Sequence, residues 1–136
     1  MSEILNKSRQ NEAASSLLFR NYLYASSIHC IYYSCFQKLL FLVKRHGYEN
    51  VESWQLGKNK KKDSHNRTIG SFLSLMRDKG VEGVYLMDRE IQSLKRDRVL
   101  SDYKEAKITE KIVHVCMDRA NKINSIINKG FGNEIE

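Results

Sequence analysis

The sequence predicts an all-α protein, an up-and-down bundle of four to five helices forming one domain over residues 1–130. Three observations carry this. There is no proline and glycine is limited to seven positions, so little in the composition interrupts a helix. Apolar residues recur at steps of three and four in every long segment. No stretch of useful length alternates apolar with polar residues, as a half-buried strand would. At 136 residues, 41% of them hydrophobic, the chain is long enough to close a real core.

The first helix is expected from Glu3 to Leu18, with Ile4, Leu5, Ala14, Leu17 and Leu18 on one face and a short break at Phe19-Arg20-Asn21. The second, from Tyr22 to His46, has the strongest periodicity. Tyr22, Ala25, His29, Tyr32, Phe36, Leu39 and Val43 form one stripe, and Ile28, Ile31, Cys35 and Leu42 form another. A helix apolar around most of its circumference must be covered on several sides, and a homodimer packed along it is the expected cover, against a central helix of a monomeric bundle. Gly47 after Lys44, Arg45 and His46 is a helix stop. Tyr48 to Ser64 is the one long connection, with Trp54 as its expected anchor. Its run Gly57-Lys58-Asn59-Lys60-Lys61-Lys62-Asp63 reads either as a solvated loop or as a phosphate contact without sequence preference.

The third helix, His65 to Lys79, is amphipathic through Ile69, Phe72, Leu73 and Met76, with Ser64 as N-cap and Gly80 as stop. His65, in its first turn, reads as a surface residue. The fourth begins near Val81 or Glu82 and reaches Tyr103. Val84, Met87, Ile91 and Leu94 make its stripe, and Arg98 continues that stripe one heptad after Ile91. A charge facing a core needs a partner or a wet cleft. Asp102, four residues on, lies on the same face and can supply an ion pair. Arg96 and Tyr103, seven apart, also share a face. The fifth helix runs from Thr109, a natural N-cap, to Asn128. Ile112, Cys116, Ala120, Ile123 and Ile127 line it, His114 lies off the stripe, and Gly130 is the stop. Residues 131–136, FGNEIE, are expected to form a frayed tail.

The formal charge of +7 favours polyanionic partners such as RNA, DNA or an acidic protein, although solubility alone accounts for it equally well. Cys30, Cys35 and Cys116 lack metal-site spacing and read as reduced thiols, as in the cytoplasm. No basic-then-apolar signal opens the chain, and no apolar run approaches membrane-spanning length, so a cytoplasmic location and no membrane partner are expected. There is no Gly-rich phosphate loop, no paired-cysteine zinc pattern and no His-Glu zinc helix; no metal and no cofactor is expected.

The densest chemistry lies in Lys95 to Tyr103, KRDRVLSDY. It reads either as a phosphate-facing turn or as a solvated helix end with one ion pair. Two stretches within this frame resemble a known family. Tyr32-Tyr33-Ser34-Cys35-Phe36 is similar to the Tyr-Tyr-Ala-x-Phe signature of HEPN-domain proteins, and Arg98-Val99-Leu100-Ser101-Asp102-Tyr103 to the Arg-x-x-Ala-Asp-Tyr signature of many bacterial members. The order of parts matches from about Leu17 to Ile127, with Ser64-His65 opening one helix and Ile108-Thr109 another. The resemblance implies a dimerising helical bundle. In its catalytic members an Arg and a His form a metal-independent ribonuclease site, as in toxins of toxin–antitoxin pairs, often beside a nucleotidyltransferase, or in antiviral defence.

The resemblance maps the catalytic residues onto Arg96, Ser101 and Tyr103. Ser101 then stands where the family has histidine, and a serine is a poor general acid or base near neutrality. His29 and His65 have the chemistry to replace it, but no spacing places them beside Arg96. Three readings follow. The first is a non-catalytic dimeric module binding RNA or a partner protein, with Arg96, Arg98, Lys60, Lys61 and Lys62 as nucleic-acid contacts and Tyr32, Tyr33, Arg98, Asp102 and Tyr103 as the structural motif. The second is a metal-independent ribonuclease toxin, and the third a purely structural interaction bundle.

Overall fold

The computed structural model describes residues 2–49 and 63–135. Trp54 and the Lys58–Lys62 run, with Lys60, Lys61 and Lys62, lie outside the described residues. Among the described residues there are five helices: α1 (Glu3–Arg20), α2 (Tyr24–Arg45), α3 (Ser64–Lys79), α4 (Val84–Tyr103) and α5 (Glu110–Ile135). The all-α bundle expected from the sequence is observed. No helix among the described residues is long and apolar enough to cross a membrane.

Local chemistry sets the helix ends. Ser2 caps α1 by accepting from the Leu5 N–H. The α1–α2 turn places Tyr22 at φ 62, a left-handed conformation that is uncommon outside glycine. At α3, Asp63 rather than Ser64 is the cap; its carboxylate accepts from the Asn66 N–H at 2.7 Å. Gly80 closes α3 at φ 68, and Gly83, at φ 96, opens α4. Thr109 Oγ1 accepts from the Ile112 N–H at the start of α5.

Helix directions follow from side-chain pairs. His29 meets Asp102, and Lys38 meets Asn124, so α4 runs antiparallel to α2 and α5 runs parallel to it. His65 meets Tyr32 near the start of α2, while Tyr48, just past its end, meets Asp78 near the end of α3. α2 and α3 are therefore parallel, and strict up-and-down alternation is interrupted once. The connection that permits this spans residues 46–63, and a chain of that length reaches well past the length of α3 at roughly 3.3 Å per residue.

α1 lies on α2 through small residues. Ser8, Ser15, Ser27 and Ser34 are buried; the Ser8 hydroxyl donates to the Ser34 carbonyl and the Ser27 hydroxyl to the Ser15 carbonyl. A serine lets two helix backbones approach while its hydroxyl is satisfied by main chain. The remaining sides of α2 are covered by α3, α4 and α5. Ile28, Ile31, Tyr32, Cys35, Leu39 and Leu42 are all almost fully buried within one chain. Four helices of the same chain thus supply the cover for α2 that the sequence assigns to a homodimer.

The expected tail is corrected. α5 continues through Gly130 to Ile135, bending at Phe131, where φ is −138 and ψ is 19. Phe131 is buried against Phe72 and His46. Glu134 accepts from Arg45 and His46 at 2.8 Å each, and Arg9 donates to the Ile135 carbonyl at 2.9 Å. The described tail residues, 131–135, carry no stripe of their own and are held because three helices present partners to them.

A cluster around Arg98

The continuation of the α4 stripe delivers Arg98 into the bundle, where it is 8% exposed. Its terminal Nη1 lies 3.5 Å from Asp102 Oδ2, the pair expected from their spacing. Its guanidinium carbon sits 5.4 Å from the ring centres of both Tyr32 and Tyr33 and 5.9 Å from that of Tyr103. A cation among three aromatic faces is stabilised by the ring quadrupoles, more so when water is excluded. The Arg98 Nε–H has no hydrogen-bond partner among the described residues.

Two histidines join this cluster. His29 Nδ1 donates to Asp102 Oδ2 at 2.7 Å, because an ionised carboxylate only accepts. The same carboxylate thus holds His29 from α2 and Arg98 from α4. His29 also packs on Tyr33 at 4.8 Å between ring centres, and 44% of its side chain stays accessible. His65 lies parallel to Phe36 at 4.3 Å and to Tyr32 at 5.7 Å. The Tyr32 hydroxyl donates to His65 Nδ1 at 2.7 Å. Burial pushes the Tyr32 phenol well up, with Arg98 only partly opposing, so the phenol keeps its proton and remains the donor.

Burial, and then the positive charges of Arg98 and Lys95, hold His65 below the ordinary imidazole value of 6.5, with Asp63 partly opposing. A base with a depressed pKa binds fewer protons folded than unfolded. Its contribution to stability is full above 6.5 and is lost as pH falls from there through the depressed value. Chemical denaturation at about pH 7.5 and about pH 5.5 is expected to show a larger loss in acid for the wild type than for His65→Gln. Equal losses would contradict this placement of His65.

Arg96 and Ser101 do not join the cluster. Arg96, two residues and about 200° around the helix from Arg98, is exposed. The Ser101 hydroxyl donates to the Asp97 carbonyl of its own helix at 2.8 Å. Tyr103 reaches Arg98 and remains 72% exposed. His114 is exposed, as expected, with its ring edge on Phe19 at 5.2 Å. The sequence reading missed the convergence of His29 and His65 on Arg98. Its available signals were the position of His29 on the α2 stripe and the Ser64-His65 pair at a helix start.

The thiols are set apart from this chemistry. Cys30, Cys35 and Cys116 are free. Burial pushes Cys35 up to about 11, and burial with the neighbouring Asp97 carboxylate pushes Cys116 up to about 12, which leaves both protonated and poorly nucleophilic. Among the described residues, no group of His, Cys, Asp or Glu is placed to hold a metal ion.

No protein-family model, curated protein or solved structure matches the chain.

Proposed function

We propose that the chain is a HEPN-like helical module that binds single-stranded RNA at the Arg98 cluster. The observation that carries this is the gathering of a buried guanidinium, two histidines and three tyrosines at one end of a chain of charge +7, with Tyr103 open to solvent. Exposed aromatic faces beside cations accept unstacked bases, and the excess positive charge attracts the phosphates. The resemblance further supports a partner protein, a nucleotidyltransferase, in a toxin–antitoxin or defence-type system.

The test is fluorescence anisotropy with a labelled oligouridylate. Affinity is expected to fall steeply between about 50 and 200 mM salt. Tyr103→Ala is expected to weaken binding about tenfold through lost base stacking. Undetectable affinity at low salt would overturn the reading.

One arrangement favours a second reading, metal-independent cleavage. Asp102 fixes His29 by Nδ1 and leaves its Nε2 for proton transfer, in the manner of an oriented general base or acid. His65 lies across Tyr33 from it. In RNA cleavage, one imidazole would accept the ribose 2′-hydroxyl proton as that oxygen attacks phosphorus. The other would protonate the departing 5′-oxygen. Incubation of RNA in EDTA with wild type and His29→Asn separates the readings: cleavage that the variant loses supports catalysis, and binding without cleavage supports a non-catalytic module.

A further inference from the structure

The outer face of α4 carries a second feature, independent of the RNA reading. Residues Gln92, Arg96, Leu100 and Lys104 follow one another at steps of four and make one ridge, and Lys95 and Val99 belong to the next. Between them lies an open hollow lined by these six side chains. Its floor is aliphatic, and Leu100 is 38% exposed.

The charge around this hollow is one-sided. Lys95 is neutralised by Asp63 at 2.8 Å, with a second contact to Asn66. Among the described residues, Arg96 and Lys104 make no ion pair and no carboxylate lines the hollow. Elsewhere on α4 the cations are matched: Arg89 lies 3.1 Å from Glu90 and Arg98 lies 3.5 Å from Asp102.

We infer that this hollow is a docking groove for an acidic amphipathic helix of a partner protein. Adjacent ridges at steps of four form the groove that receives the ridge of another helix. Leucines of that helix would seat on Val99 and Leu100, and its flanking carboxylates would meet Arg96 and Lys104. Val99 and Leu100, with no aromatic ring among the described residues that line the hollow, suit a leucine-bearing helix better than a nucleic-acid base, which binds by stacking.

The test uses the full chain, isotopically labelled, and a synthetic helical peptide with leucines four apart flanked by glutamates. Two-dimensional NMR is expected to show shifts confined to Gln92–Lys104. Leu100→Lys and the double reversal Arg96→Glu/Lys104→Glu are each expected to weaken binding at least about tenfold. Both sites are exposed enough for the fold to persist, which circular dichroism verifies. Three results would overturn the inference. One is equal binding by a glutamate peptide lacking leucines. Another is displacement of the peptide by oligouridylate with the same residues shifting, which would make the hollow a nucleic-acid surface. The third is concentration-dependent shifts of the same residues without peptide, which would assign the hollow to a second copy of this chain.

Discussion

Phe131→Ala is expected to destabilise the bundle by about 3 kcal/mol, the range for deleting a buried aromatic ring. The readout is a lower urea midpoint with an unchanged m-value. Phe131 is 4% exposed and packs on Phe72 of α3 and His46 beyond α2. The bend that turns it inward follows Gly130, and a Cβ at Gly130 would meet Val81 Cγ1 at 2.7 Å. That approach presses α5 against the α3–α4 turn, and only glycine allows it. Loss of the ring would also loosen Glu134 from Arg45 and His46 and the Ile135 carbonyl from Arg9. A frayed tail would instead make the substitution nearly neutral, so the measurement discriminates sharply.

Glu90→Gln is expected to cost about 3 kcal/mol, because removing one member of a buried ionic group leaves the others uncompensated. The Glu90 side chain is 2% accessible. Arg119 of α5 donates to it at 3.0 Å and Arg89 at 3.1 Å, with Lys122 at 3.9 Å. Arg119 also approaches Asp97 at 3.9 Å, and Cys116 donates to the same carboxylate. These six side chains, three from each helix, thus join α4 to α5 along a seam away from the Arg98 cluster. Burial alone would raise the Glu90 carboxyl, but the bonds from Arg119 and Arg89 outweigh it and hold it below the ordinary 4.5. A depressed acid contributes its stability fully above that value and loses it as pH falls through the lowered one. The gap between wild type and Glu90→Gln is therefore expected to close in acid. Replacing Glu90 and Arg119 together by leucine is expected to recover much of the loss.

Much of the fold was legible because helical periodicity is a local property. Val84, Met87, Ile91 and Leu94 specify a buried face without reference to any other helix. The same spacing carried Arg98 inward and set Asp102 one turn away, so that pair too was readable. Glu90 shows the limit. It lies three residues after Met87 and four before Leu94, on the inward side of α4, yet its partner Arg119 is 29 residues away. Spacing marks the burial and cannot name the cation.

The candidate site divides in the same way. By itself the sequence determined an all-α bundle of four to five helices, most of their inward faces, the Arg98–Asp102 pair and a net positive charge. Only the tertiary structure decided that His29 reaches Asp102 across 73 residues and that His65 stacks on Tyr32 and Phe36. It also covered α2 within one chain and folded Phe131 back into the core. The physical reason is common to all four. Periodicity says which face of a helix is buried, whereas the choice of what meets that face depends on helix direction and packing, which the parallel α2–α3 arrangement settles through contacts distant in sequence.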